Sequence, residues 1–204
     1  MLNNIIWTDV IAVSATLFFV MDPLGNIPTF QSILQNFNTK SRIKIIFREL
    51  IFALVILLVF LVSGTKLLSY LGLSQPSLSI AGGILLFIIA LRMVFPTQDS
   101  FVKDKIEEPF IVPLAVPLIA GPSTIAILLL LSSSEPQRMT EWILSLLIAW
   151  LFSTIILVVS PFILKFLGKR GLKAIERLMG MILVLIAVQM FLNGYSQYIK
   201  ETFK

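Results

Sequence analysis

The sequence predicts an all-α membrane protein: six transmembrane helices arranged as two inverted three-helix repeats, with helices 1 and 4 broken at Pro/Gly motifs. Three observations carry this. The chain of 204 residues is 57% hydrophobic and only 13% charged, where a soluble domain carries about 25% charged residues. Its mean hydropathy is +0.97. The basic residues gather in alternate connections between apolar stretches. Finally, one proline-bracketed motif occurs twice, 94 residues apart. The copies are Asp22-Pro-Leu-Gly-Asn-Ile-Pro-Thr29 and Val116-Pro-Leu-Ile-Ala-Gly-Pro-Ser123, each inside a stretch of membrane-spanning length.

A helical span needs about 20 mainly apolar residues. Six such stretches follow in order: Thr8–Phe30, Glu49–Leu71, Ser77–Phe95, Phe110–Ser132, Trp142–Leu164 and Leu178–Tyr195. Between or beside spans one and two lie Lys40, Arg42, Lys44 and Arg48. Arg92, Lys103 and Lys105 flank the link from three to four, and Lys165, Lys169, Arg170, Lys173 and Arg177 the link from five to six. These are twelve of the 16 basic residues, and the positive-inside rule therefore assigns the three links to the cytoplasm and both termini to the outside. Trp7 and Trp142 fall at the outer edges, as interfacial anchors or as lipid-facing residues. No basic residue precedes the first apolar run and no small-residue cleavage site ends it, so span one reads as retained rather than as a signal peptide.

A single integral membrane domain, 1–204, is expected, with repeat one over about 5–97, a cytoplasmic connection at 97–108, and repeat two over about 108–200. The motif pair is not the only echo. Gly83-Ile-Leu-Leu-Phe-Ile-Ile-Ala-Leu-Arg-Met93 resembles Gly180-Met-Ile-Leu-Val-Leu-Ile-Ala-Val-Gln-Met190. Leu68-Ser-Tyr-Leu-Gly72 resembles Leu164-Lys-Phe-Leu-Gly168. Three is an odd number of spans, so the second unit starts on the side opposite the first. A repeat of this length is inverted, the plan of many secondary transporters.

The chemistry concentrates at the motifs. Pro23, Pro28, Pro117 and Pro122 remove backbone donors and clash with the preceding turn. Such backbone is tolerated at membrane depth only where protein or a water-filled cavity covers it. Asp22 is an ionisable group near the middle of span one, at a depth that costs roughly 2.5–3.5 kcal/mol on insertion scales. Gly25 and Asn26 follow within a turn, and Thr29 adds a hydroxyl; Gly121, Ser123 and Thr124 take their places in the second copy. Asp22, Gly25, Asn26, Thr29, Gly121, Ser123 and Thr124 are the candidate substrate-binding residues. Freed carbonyls and Asp22 would favour a cation or ammonium, and half-helix N-termini a carboxylate. Alternatively, Asp22 serves as a cap, since Asp and Pro are favoured at helix starts.

Elsewhere the residues read as structural. Gly82, Gly83 and Gly180 suit close helix packing, Gln189 and Asn193 suit hydrogen bonds between helices, Arg48 and Glu49 can pair, and Ser132-Ser133-Ser134 resembles a loop. Histidine and cysteine are absent, which removes disulfides and the usual zinc and haem ligands. No nucleophile–base pair, metal cluster or phosphate loop is visible, so neither an enzyme nor a cofactor is expected. The net charge of +5 follows membrane side rather than forming a nucleic-acid-binding patch.

Met21-Asp-Pro-Leu-Gly-Asn-Ile-Pro28, Glu108-Pro-Phe-Ile-Val-Pro-Leu-Ala-Val-Pro-Leu-Ile-Ala-Gly-Pro-Ser-Thr124 and Glu176-Arg-Leu-Met-Gly180 together resemble the MarC family of six-span bacterial inner-membrane proteins. The resemblance covers nearly the whole chain. It implies an inner-membrane location, outward termini, and kinship with a broader group of amino-acid exporters of the lysine-exporter type. The functional expectation is a secondary transporter or exporter of a small neutral solute such as an amino acid. Its partners would be the lipid bilayer, that solute and a coupling cation; a homo-oligomer is left open. The alternative is a non-transporting membrane protein in envelope assembly or regulation.

Overall fold

A computed structural model describes residues 5–34, 37–95 and 119–203. Among them there is no strand. The helices are α1 Trp7–Met21, α2 Ile27–Leu34, α3 Thr39–Leu71, α4 Gln75–Val94, α5 Pro122–Ser134 and α6 Met139–Thr202, with a 3-10 turn, Pro136–Arg138, before α6. Four helical segments are long and apolar enough to cross a membrane: Lys40–Gly64, Gln75–Val94, Pro136–Gly168 and Arg170–Glu201. Trp7–Met21 and Pro122–Ser134 are shorter apolar helices. The expected connection 97–108 and Pro117 lie outside the described residues.

Local chemistry sets the helix ends. Asn38 opens α3 by accepting the Ser41 N–H at 2.8 Å, and Ser74 opens α4 by accepting the Ser77 N–H. Gly72 closes α3 with φ +65, and Gly168 interrupts α6 with φ +64 and ψ 176. The second of these conformations belongs essentially to glycine alone. These two glycines end the sequence echo Leu68–Gly72 and Leu164–Gly168, and both break a helix in the same half of φ space.

Two expectations change here. The link between spans five and six is helical on both sides of Gly168, because its basic residues are good helix formers and one glycine suffices for the bend. Ser132, Ser133 and Ser134 finish α5 rather than form a loop. Ser132 and Ser133 donate to the carbonyls of Leu129 and Leu130, which satisfies their hydroxyls without leaving the helix.

The main core joins α1, α2, α3, α5 and the first part of α6 through Leu17, Phe30, Leu57, Leu61, Leu128 and Leu146. The outward faces stay apolar, with Val55, Val59 and Val62 on α3 and Leu151, Phe152 and Ile155 on α6 all exposed. That is the surface a lipid-facing helix presents.

A second cluster lies between α4 and the part of α6 after Gly168, where Leu86, Ala90, Met93, Leu183 and Ala187 are buried. Glycines bring the two backbones together. A Cβ on Gly83 would stand 2.9 Å from the Ala187 carbonyl oxygen and from the Phe191 nitrogen. On Gly180 it would stand 3.1 Å from the Ala90 carbonyl oxygen. On Gly194 it would stand 3.0 Å from the Ile80 nitrogen. Ser79 Oγ donates across the seam to the Met190 carbonyl at 2.8 Å. Without a hydrophobic drive between helices in lipid, such close van der Waals contact and cross-helix bonding hold them together.

Candidate functional site

Helix α1 has 15 residues, about 22 Å, short of the roughly 30 Å hydrocarbon core. It stops because Asp22 takes φ +44, ψ +60, a left-handed conformation that Asp and Asn tolerate better than most residues. The Asp22 N–H closes α1 on the carbonyls of Phe18 and Phe19. Its Oδ1 accepts the Gly25 N–H at 3.0 Å. Asn26 Nδ2 donates back to the Met21 carbonyl at 3.1 Å, and the Asn26 N–H to the Asp22 carbonyl. The chain then re-enters helix at Ile27, with Pro28 in the first turn of α2, where a missing N–H costs nothing. Asp22 therefore ends α1 and ties down the turn that follows it, rather than capping the next helix as expected in one alternative, since α2 starts only at Ile27. Gly25 is fixed by it: a Cβ there would lie 2.0 Å from Asp22 Oδ2.

The second copy behaves alike where it is described. Gly121, at φ −74 and ψ 162, is the residue before α5, and Pro122 is the first residue of that helix. The second proline of each motif thus begins a helix rather than kinking one. Ser123 and Thr124 are buried, and Ser123 Oγ has no hydrogen-bond partner among the described residues. Thr29 is half-buried on α2. Helix α5 packs against α1, α3 and α4, so the elements carrying the two motifs belong to one bundle.

Two cavities flank the break. One, of about 190 Å³, lies beside α2, between α3 and α6, with Gln31, Arg42 and Ser160 as its polar lining. Gln31 Nε2 donates to Ser160 Oγ at 2.9 Å, and Arg42 Nη1 to Gln31 Oε1 at 3.4 Å. The other, a more open cleft of about 660 Å³, lies beside α1, between α4, α5 and α6. Thr16, Ser79, Ser134, Gln189, Asn193 and Gln197 are its polar lining, and no charged residue is among the described lining. Gln189 Nε2 donates to Asn193 Oδ1 within α6 at 2.8 Å, which corrects the expectation of a bond between helices. Neither described lining includes residues 22–29 or 121–124.

An ionic knot closes the far end of α1. Arg138 donates to Asp9 at 2.7 Å, to Glu135 at 3.0 Å and to Glu141. Its guanidinium lies 4.6 Å from the centre of the Trp142 ring. Trp142 is buried, with its Nε1 donating to the Glu135 carbonyl, so it is a packing residue and not a lipid anchor. Trp7 is exposed, as an anchor would be. Glu49 is 2% exposed, pairs with Arg48 through Oε1, and leaves Oε2 without a partner.

Sequence reasoning missed the Gln31–Ser160 contact and the Arg138 knot. The first had a local signal, since Gln31 lies one turn beyond the first motif and Ser160 precedes Pro161 inside an apolar run. The second joins Asp9 to Arg138 across most of the chain, and no spacing announces it.

These features define a polytopic helical membrane protein with an interrupted first helix. The chain matches the family described as MarC family integral membrane protein over residues 7–199, and it belongs to that family. It is 47% identical to a UPF0056 membrane protein of Buchnera aphidicola subsp. Baizongia pistaciae, over 93% of this chain and 98% of the relative. It is 46% identical to the UPF0056 inner membrane protein YhgN of Escherichia coli K12, over 94% of this chain and 98% of the relative. A UPF0056 membrane protein of Chlamydia trachomatis serovar D is 37% identical, over 88% of this chain and 90% of the relative. No solved structure matches.

Proposed function

We propose that this protein is a secondary transporter of a small neutral solute such as an amino acid. In this reading it is a multi-pass inner-membrane protein with six spans in two inverted repeats and both termini on the periplasmic side. The observation that carries the reading is the pair of cavities, mostly apolar but each with a few polar side chains, one beside the helix before the break and one beside the helix after it. The uncharged lining of the larger cleft favours a neutral solute over an ion.

Reciprocal contacts support the inverted repeat. Gly83 rests on Ala187, and Gly180 rests on Ala90. In the sequence echo Gly83 corresponds to Gly180 and Ala90 to Ala187, so exchanging the halves returns the same contact. A two-fold relation between the units produces that reciprocity. The break at Asp22 and the start of α5 at Pro122 would then face one midplane, with Asn26, Thr29, Ser123 and Thr124 offering polar groups. Asp22 acts first as the cap that shapes the break. Ser123 Oγ, buried and without a partner among the described residues, has hydrogen-bonding capacity to spare.

Uptake and counterflow of a panel of neutral amino acids in proteoliposomes tests this reading. Protein-dependent flux of at least one is expected. Flux no greater than in protein-free liposomes across the panel overturns it.

A further inference from the structure

We infer that Glu49 binds a proton on its buried oxygen, and that a proton is the coupling ion of this protein. The coupling rests on the transporter reading and deepens it by naming the ion and the residue that carries it.

Among the described residues the acidic side chains divide by what holds them. Asp9, Glu135 and Glu141 belong to the Arg138 knot. Asp22 accepts the Gly25 N–H at the break. Glu176 stands between Lys173 and Arg177 in the basic link, and Glu201 is exposed and accepts from Gln197. Glu49 differs from all of these, because it is buried inside the apolar segment Lys40–Gly64. Arg48 gives it two hydrogen bonds, from Nε at 3.0 Å and from Nη2 at 2.8 Å, but both go to Oε1. A fork-to-fork pair would have shared them between the two oxygens. Oε2 is left buried, with no hydrogen-bond partner among the described residues.

An ionised carboxylate spreads its charge over both oxygens, so burying one of them without a donor is costly. A proton on Oε2 removes the charge, and a neutral buried group costs far less than a charged one. Arg48 can do without the pair, since its side chain is half-exposed and water can take over its donors. Helix α3 packs on α5 and α6. At this turn Trp150 Nε1 donates to the Leu50 carbonyl at 2.8 Å. Helices α2 and α5 and residues 142–164 of α6 contain no charged residue, and along α3 the nearest charges besides Arg48 are Lys44 and Lys66. Ser153 Oγ, one turn beyond Trp150, is also buried without a partner among the described residues, so hydrogen-bonding capacity is left over on both helices. A metal ion calls for several oxygen ligands at once, whereas a single unpaired oxygen suits a proton. The charge on Oε2 then biases the packing of this turn. Protonation favours the buried arrangement, and loss of the proton favours one in which Oε2 reaches water. Alternation between two such states is what coupling requires.

Infrared difference spectra of the full-length protein in phosphatidylcholine nanodiscs, taken across a pH series, follow the carbonyl stretch of protonated carboxyl groups. The native protein is expected to show a component that Glu49→Gln lacks. In Arg48→Gln that component should titrate at higher pH, by about one unit, because the guanidinium favours the ionised form. Superimposed spectra for native protein and Glu49→Gln overturn the inference, and so does a midpoint that Arg48→Gln leaves in place. Arg48 is half-exposed, so its variant decides the question even if Glu49→Gln misfolds. In proteoliposomes, a pH gradient is expected to drive accumulation of the neutral amino acid that shows flux, and Glu49→Gln should accumulate no more with the gradient than without it. Accumulation driven by a sodium gradient alone, or a pH response intact in Glu49→Gln, overturns the coupling. The two claims fail separately. Flux with superimposed spectra sinks this inference alone, and a titrating Glu49 without flux sinks the transporter reading alone.

Discussion

The seam between α4 and α6 and the break between α1 and α2 both depend on glycine, but what the glycine touches differs. At the seam, Gly83 faces only backbone atoms of the neighbouring helix, and Gly180 and Gly194 face backbone together with side-chain atoms at its root. At the break, Gly25 faces only the carboxylate of Asp22, three residues away. Backbone in a packed helix cannot step aside, whereas a side chain can change rotamer. The seam is therefore a fixed unit, and the break is a local device held by a few hydrogen bonds. Under the proposed transport function, this division would make the α4–α6 pair the frame and the interrupted helix the part able to rearrange.

The largest effect is expected at the seam. Gly83→Val and Gly180→Val each place a branched side chain against a neighbouring carbonyl and should cost about 3 kcal/mol or more. Thermal unfolding in detergent and the monodisperse fraction by size exclusion measure it. Gly82 is the internal control. A Cβ there meets the Met190 methyl at 2.6 Å and Ala126 Cβ at 2.9 Å, both side-chain atoms. Methionine is adaptable, so Gly82→Ala should be milder than Gly83→Ala. Equal losses at the two adjacent glycines would break the distinction drawn between seam and break.

A middling effect is expected at Gly25. Gly25→Ala has no positive φ to satisfy, so its cost comes from the Asp22 carboxylate. Displacing that carboxylate forfeits a cap worth about 1 kcal/mol, plus whatever strain remains. The sharper measurement is a cycle with Asp22→Ala. If the obstacle is the side chain alone, Gly25→Ala should cost much less in the Asp22→Ala background than in the native one. Additive losses would mean that the backbone of the break, not its carboxylate, excludes the methyl group.

The same contrast explains what could be read in the sequence. Gly83 and Gly180 were legible because close packing needs small residues on one face, and their echo repeats that need in each half; Gly194, outside the echo, was not singled out. Pro28 and Pro122 were legible as interruptions, although the sequence did not reveal that both would begin helices. Gly168 was visible only as the end of an echo, because whether a basic segment loops or stays helical depends on one φ angle. The pairings of the Arg138 knot and of Gln31 with Ser160 were not legible for another reason, although Gln31 and Ser160 each had a local signal. Each joins residues 129 apart in the chain, and only the register of packed helices decides which side chains meet. The burial of Trp142 follows the same rule, since aromatic residues near a span edge suit either lipid or a cation–π contact.

The smallest effect on stability, and the most informative about function, is expected for Asp22→Asn. Asparagine tolerates the left-handed conformation as aspartate does, and its side-chain oxygen can still accept the Gly25 N–H. Stability should change by no more than about 0.5 kcal/mol, against about 1 kcal/mol for Asp22→Ala. The two variants therefore separate shape from charge. If Asp22 serves the break only as a cap, proteoliposomes carrying Asp22→Asn should transport as the native protein does, while Asp22→Ala transports less. If the carboxylate also meets the solute's ammonium or a coupling cation, Asp22→Asn should lose flux while its melting temperature stays where it was. A loss of both together would show that the break needs the charge to form at all. The break would then be an electrostatic structure, and its contrast with the sterically fixed seam would widen.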